Sequence, residues 1–426
     1  MLWYRMKYVR ALLFSLCAAQ CASAYAVLTH EAIIDAAWLD SIQPLLLARF
    51  PNATPDDLKN AHAYAYGGAI IQDMGYYPFG SKFFSNLVHY VRSGDFIQEL
   101  LRESQDVNEY GFALGAAAHY CADINGHALA VNPAVGLTYP NLRARYGPVV
   151  TYDDDPESHL KVEFGFDVME VADGNYAPQA YHDFIGFEVS KRLLEAAFRR
   201  VYGLEMADVF FDLDLALGTY RRTVSSILPE ATKVAWELQK DEIVKARPGM
   251  TRRRFIYNLS RSSYEREWGK EYSRPGPLAK VLAFLFRIIP KVGPFRGVQF
   301  KPATPQTLQL FMESFNRTLG NYRQLLGDLR GGHLELPNSD FDTGHPTAPG
   351  EYRLADDTYS RLARALAGNR PDPAASEIVK NVLGFFRDAN APIATRRHKR
   401  EWKKTLEALA DLRAHETGPA PLTGAR

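Results

Sequence analysis

The stretch that most constrains this chain is "AHYCADINGHAL", residues 118–129, in which His119, Asp123 and His127 recur at intervals of four. On an α-helix such positions drift by only about 40° per step, so the three side chains share one face. Leu114, Ala118 and Ala122 beside them are small or apolar, the composition of a helix packed inside a protein. A buried face does not tolerate an unpaired carboxylate among imidazoles. Either hydrogen bonds satisfy it or a metal ion does.

Other residues shift the balance toward metal. "ESHLKVEFG" puts His159 and Glu163 one helical turn apart, a natural pair for a single cation. Asp73 ends the apolar run in "GGAIIQDMGYYPFG", His89 follows hydrophobic residues in "NLVHYV", and His30 opens "HEAIIDAAWLDSIQPLLLARF". Five of the eleven histidines thus stand in apolar or helical settings between residues 30 and 159, beside three carboxylates. These eight side chains exceed one site and imply two or three ions with a bridging carboxylate. Nitrogen and oxygen donors suit zinc, and by ligand type also manganese or iron. Close multi-metal sites hydrolyse phosphate esters.

The N-terminus reads as an address. "MLWYRMKYVR" is basic without an acid, "ALLFSLCAA" is a short apolar run, and "ASA" ends at Ala24. That is the anatomy of a signal peptide over residues 1–24. The apolar run is far shorter than the roughly 20 residues a membrane span needs. Cleavage before Tyr25 would export the protein to the periplasm or beyond, take its formal charge from +1 to −2 and leave Cys121 as the lone cysteine. A lipoprotein anchor at Cys21 is disfavoured by Gln20. Near-zero charge also argues against an overall basic nucleic-acid binder.

Apolar residues recur mostly at three and four, and β-branched alternation is scarce, so the expected fold is all-α. Helix candidates include residues 30–50 with Thr29 as N-cap, "SGDFIQELLRES", "EYGFALGAAAHYCADINGHALA", "SHLKVEFGFDVMEVA" and "HDFIGFEVSKRLLEAAFRRVYG". A metal-bearing domain over 25–235 precedes a helical extension over 236–415 of unknown role, then a disordered tail at 416–426. The extension holds a basic run, a Gly/Pro/Asp-rich stretch at 331–352 and a charged helix from "RRHKREWKK" onward.

In their order, His30, Asp73, His89, H-x-x-x-D…H and H-x-x-x-E, these residues resemble the zinc-dependent phospholipase C / S1–P1 nuclease superfamily. The chain looks nearest the phospholipase C/D branch that includes glycosylphosphatidylinositol-specific phospholipase D. The "TH" near the mature N-terminus and the four-residue Asp-to-His step in "HYCADINGHA" carry that likeness, which covers about residues 25–200. The resemblance implies a phospholipase C/P1 nuclease-like helical domain with three zinc ions. Asp73, His89, His119 and Asp123 would surround one. His127, His159 and Glu163 would hold a second. The third would take the α-amino group and carbonyl of Tyr25, with His30 and the bridging Asp123. The implied activity is exported phosphodiester hydrolysis of a phospholipid headgroup by a zinc-activated water, with Asp73 as general base or water-orienting ligand. Alternatives are a nuclease or phosphomonoesterase, with nucleic acid only as that substrate, and a non-catalytic zinc or lipid-binding protein.

Other features read more plainly. Asp153–Asp155 before Pro156 cap the helix bearing His159 rather than bind calcium. His62 and His182 match no ligand position, and Cys121 is a buried inert thiol. Tyr76 and Tyr77 border a headgroup pocket or pack beside Pro78, and Met74 stands where choline-preferring relatives have an aromatic. The basic-aromatic run 250–300 meets a membrane surface or packs in the second lobe.

Overall fold

The computed structural model describes residues 27–173, 186–224, 301–369 and 376–416, with scattered positions between 236 and 252. Among these residues the secondary structure is helical, with one isolated bridge between Ser339 and Pro346. The all-α expectation is met. The leader, Tyr25, His182 and most of the 250–300 run lie outside the described residues.

The helices that position the site are α1 (Val27–Ala37), α2 (Pro55–Ile70), α3 (Lys82–Tyr90), α4 (Ser93–Glu103), α5 (Val107–Gly126), α6 (Pro156–Asp173) and α7 (Lys191–Tyr202). Four more follow: α8 (Pro305–Gly331), α9 (Arg353–Asn369), α10 (Ser376–Phe385) and α11 (Lys399–Glu416). Local chemistry starts several of them. Thr54 and Asp57 form a reciprocal capping box ahead of α2, with Pro55 in its first turn. Asp106 caps α5 by accepting from the Asn108 and Glu109 N–H groups. Asp155 does the same for α6, accepting from the Ser158 N–H at 2.8 Å.

Two helix starts differ from the sequence reading. Thr29 lies inside α1 instead of capping it. The Leu28 and Thr29 N–H groups donate instead to the carboxylate of Asp167 on α6, at 2.9 and 3.1 Å. A distant residue replaces the local cap. Similarly, α7 begins only at Lys191 behind a Ser190 cap, because residues 186–190 are non-helical. There the Glu188 N–H donates to the Ala63 carbonyl on α2 at 2.9 Å. An extended segment can make that bond, whereas a helix would commit the N–H to its own preceding turn.

Helices α2 and α5 pack nearly backbone to backbone. A Cβ on Gly68 would lie 1.9 Å from the Phe112 carbonyl oxygen, and one on Gly115 only 2.0 Å from that of Ala65. This close approach carries Asp73, just beyond α2, toward His119 and Asp123 on α5. Helix α8 covers another side of α5, where the buried Tyr322 hydroxyl donates to the Leu114 carbonyl at 2.9 Å. One hydrophobic core runs from Val27 on α1 to Leu412 on α11, so the C-terminal helices share the core that surrounds the expected ligand residues. No described helix is long and apolar enough to cross a membrane.

Candidate metal centre

Asp123 is the hub of the site. Its Oδ2 lies 3.0 Å from His119 Nε2, 3.3 Å from His89 Nε2 and 3.9 Å from His127 Nε2, while Oδ1 lies 3.5 Å from His30 Nε2. Each comes from a different stretch of chain or turn of helix. His119 and Asp123 occupy the last turns of α5, and His127 begins the π-helical turn His127–Val131 that continues it. His89 ends α3, and His30 projects from α1 with its ring stacked on that of His119 at 4.4 Å. Asp73, in the 3₁₀ turn Ile71–Tyr76, approaches His89 Nε2 at 3.3 Å and His30 Nε2 at 4.0 Å.

Two groups emerge. Donor atoms of Asp73, His89, His119 and Asp123 all lie within 4.8 Å of one another, as do those of His127, His159 and Glu163, and every residue is buried. In the second group His127 Nδ1 faces His159 Nε2 at 2.8 Å, and His159 Nε2 faces Glu163 Oε1 at 3.0 Å. The helix α6 carries His159 and Glu163 one turn apart, as their spacing predicts.

The hydrogen bonding leaves a charge problem that a cation solves. His89 Nδ1 faces the Ser85 carbonyl at 2.7 Å and His119 Nδ1 faces the Ala69 carbonyl at 2.8 Å. A carbonyl only accepts, so both Nδ1 atoms carry the proton, and in the neutral ring Nε2 presents a lone pair. That lone pair points at carboxylate oxygens. Either a proton or a metal ion must lie between them. Neither oxygen of Asp123, nor Glu163 Oε1, has a well-formed hydrogen bond, although all are buried. This donor set fits divalent zinc, with backbone carbonyls fixing the imidazoles from behind.

Electrostatics describe the same conflict. Burial opposes charging of His89, yet Asp123 and Asp73 outweigh it and push its pKa up to about 10. His30 goes the other way, down to about 3, because burial and then His119 disfavour the imidazolium. Burial and His127 likewise depress His159, while burial and then Asp73 and Asp123 raise Glu163 well above the carboxylate range. Asp123 is held well below that range: burial opposes this, but His119, His89 and His30 prevail.

The structure brings together eight of the nine expected ligand residues, and the ninth, Tyr25, lies outside the described residues. His62 stands apart, stacked on Trp38 at 3.8 Å with Nε2 2.9 Å from Asp35 Oδ1. Cys121 is buried, and burial raises its thiol pKa to about 12. Tyr76, Tyr77 and Met74 are all buried. Sequence reasoning missed three neighbours. Asp167 continues the four-residue series of His159 and Glu163 on α6, a signal that was available. Phe341 and Asp342 come from between α8 and α9: the Phe341 ring lies 5.0 Å from that of His89, and Asp342 Oδ1 lies 3.4 Å from His127 Nε2. Their only sequence trace is the Asp-rich "NSDFDTGH", which no spacing connects to α5.

A helical protein with two adjoining buried groups of side chains that could hold metal ions is the class that fold and site define. Residues 29–212 match the family model described as zinc dependent phospholipase C. Through this segment the chain is similar to the zinc-dependent phospholipase C family, and that likeness implies a phosphoric ester hydrolase. No curated protein and no solved structure matches the chain.

Proposed function

We propose that the protein is an exported phosphodiesterase of the phospholipase C/D type, hydrolysing a headgroup ester of a phospholipid at a three-zinc centre. The observation that carries this reading is Asp123, whose two oxygens lie 3.0 to 3.5 Å from the imidazoles of His119, His89 and His30 and 3.9 Å from that of His127 in the neighbouring group. Asp73, His89, His119 and Asp123 would hold one ion, and His127, His159 and Glu163 a second. His30 and Asp123, with the backbone of Tyr25 as the new N-terminus, would hold the third. When bound, the ions supply Lewis acidity, which activates water and neutralises charge on the phosphoryl oxygens.

The chain's own residues supply the rest. Asp73 reaches toward both His89 and His30, so its carboxylate is placed to orient the attacking water and take its proton. The backbone carbonyls of Ser85 and Ala69 hold His89 and His119 in one tautomer. Burial of every member keeps the local dielectric low, which strengthens each electrostatic contact. A peripheral contact of the 250–300 run with the membrane surface belongs to the same reading, as does division into residues 25–235 and 236–415.

The test is native mass spectrometry of the exported protein, purified without chelators, followed by assay on phospholipid vesicles. The expected result is a chain starting at Tyr25 with three zinc ions, releasing a phosphorylated headgroup or phosphatidic acid. Asp73→Asn should fold and lose turnover. A metal-free native protein, or one that cuts single-stranded nucleic acid and leaves lipid intact, would overturn it.

A further inference from the structure

Asp342 lies far beyond residue 212, where the family match ends, yet it reaches the second metal group. It is 2% exposed and is held on several sides. The Tyr90 hydroxyl on α3 and the Tyr352 hydroxyl both donate to its Oδ2, at 2.9 and 2.5 Å. Its backbone N–H donates to Asp340 Oδ1 at 2.7 Å, and its carbonyl accepts from Asn132 Nδ2, also at 2.7 Å. One oxygen is thus occupied by two phenols. The other, Oδ1, is turned toward His127 Nε2 at 3.4 Å.

His127 stands between this carboxylate and the metal group. Its Nδ1 lies 2.8 Å from His159 Nε2, and its Nε2 lies nearer to Asp342 Oδ1, at 3.4 Å, than to Asp123 Oδ2, at 3.9 Å. An imidazole that binds a metal through one nitrogen characteristically gives its other N–H to a carboxylate, which fixes the tautomer and raises the ring's basicity. His89 and His119 have backbone carbonyls in that role, from Ser85 and Ala69. His127 has Asp342.

We infer that Asp342 is a positioning residue of the second metal group, holding His127 with Nδ1 toward His159 and Glu163, and that Tyr90 and Tyr352 clamp its carboxylate in that orientation. This rests on the metal reading given above. Part of the metal centre is then built from the segment between α8 and α9. The competing role is purely structural: a buried carboxylate that ties this segment to α3 through Tyr90.

The test compares full-length native protein with Asp342→Asn, both loaded with zinc. Ion number is read by native mass spectrometry and affinity by competition with a chromophoric chelator. The expected result is native helical content with one ion bound about 10–100-fold more weakly and the others unchanged. Asp342→Glu should recover part of that loss, and Tyr352→Phe should show a smaller one. An Asp342→Asn protein that keeps every ion at native affinity, or weakens all of them alike, would overturn the inference and leave Asp342 a structural anchor. Should Asp342→Asn fail to fold, the Tyr90→Phe/Tyr352→Phe pair carries the same measurement: selective loss of one ion supports the inference, unchanged binding overturns it. A native protein without zinc would sink the metal reading itself, an outcome separate from a loaded native protein beside an equally loaded variant.

Discussion

The two candidate metal-binding groups are supported differently. In the first, His89 and His119 are held from behind by the carbonyls of Ser85 and Ala69, oxygens that helical backbone already fixes in place. In the second, His127 lies between two side chains, His159 and Asp342, and Asp342 comes from a segment remote in sequence. Backbone acceptors have no protonation state and follow from local folding. Side-chain acceptors depend on both charge and long-range packing. The first group is therefore expected to depend on how its helices pack, and the second also on the side chain that stands behind His127.

The largest test of that contrast removes the hub of the first group. Asp123→Asn should lower turnover about a thousandfold, roughly 4 kcal/mol of transition-state stabilisation, and reduce ion content in the first group and at His30 while the second group keeps its ion. Steady-state assay and metal analysis check it. Loss of the second group's ion as well would show that the two are coupled.

Next comes zinc itself. At a free-ion concentration about a thousand times the dissociation constant, binding stabilises the fold by about 4 kcal/mol per site. Chelation should lower the Tm in calorimetry, and stepwise removal should empty the second group first. Simultaneous release would remove the proposed difference between them.

A packing change should fall mainly on the first group. A Cβ on Gly115 would meet the Ala65 carbonyl oxygen at 2.0 Å, backbone that cannot yield without moving α2 and the Asp73 turn beyond it. Gly115→Ala should destabilise by about 3 kcal/mol in denaturant titration and weaken the first ion more than the second. Gly320→Ala on α8, with nothing within 4 Å of its added Cβ, serves as the control and should gain about 0.5–1 kcal/mol.

The smallest effect is a pH dependence. Burial, partly opposed by Thr29 and Leu28, pushes the carboxyl pKa of Asp167 up from 3.8 to about 7. Between these values the folded metal-free protein keeps a proton that the unfolded chain has released, so its stability falls as pH rises through the window. Asp167→Asn should flatten that stretch of the stability curve. An unchanged slope would mean the carboxyl titrates at its ordinary value.

How legible was all this? Helices α4, α5, α6 and α11 follow from apolar spacing, with local caps at α5 and α6, because side-chain periodicity and a capping side chain act within a few residues. The convergent residues were legible for a related reason. Polar, metal-binding side chains on apolar faces are costly to bury, and eight of them in one third of the chain demanded a common explanation. Thr29 misled because its local pattern suits a cap equally well, and nothing local revealed that Asp167 would supply the acceptor.

By itself, then, the sequence determined which segments are helical, which faces are buried and which residues are candidates to hold a cation. Tertiary structure alone decided that α2 and α5 meet at glycines, that Asp167 caps α1, and that Asp342 stands behind His127. The reason is one of range. Periodicity and capping are written within a turn or two of chain, whereas a contact across 215 residues between His127 and Asp342 exists only after the core that carries both has closed.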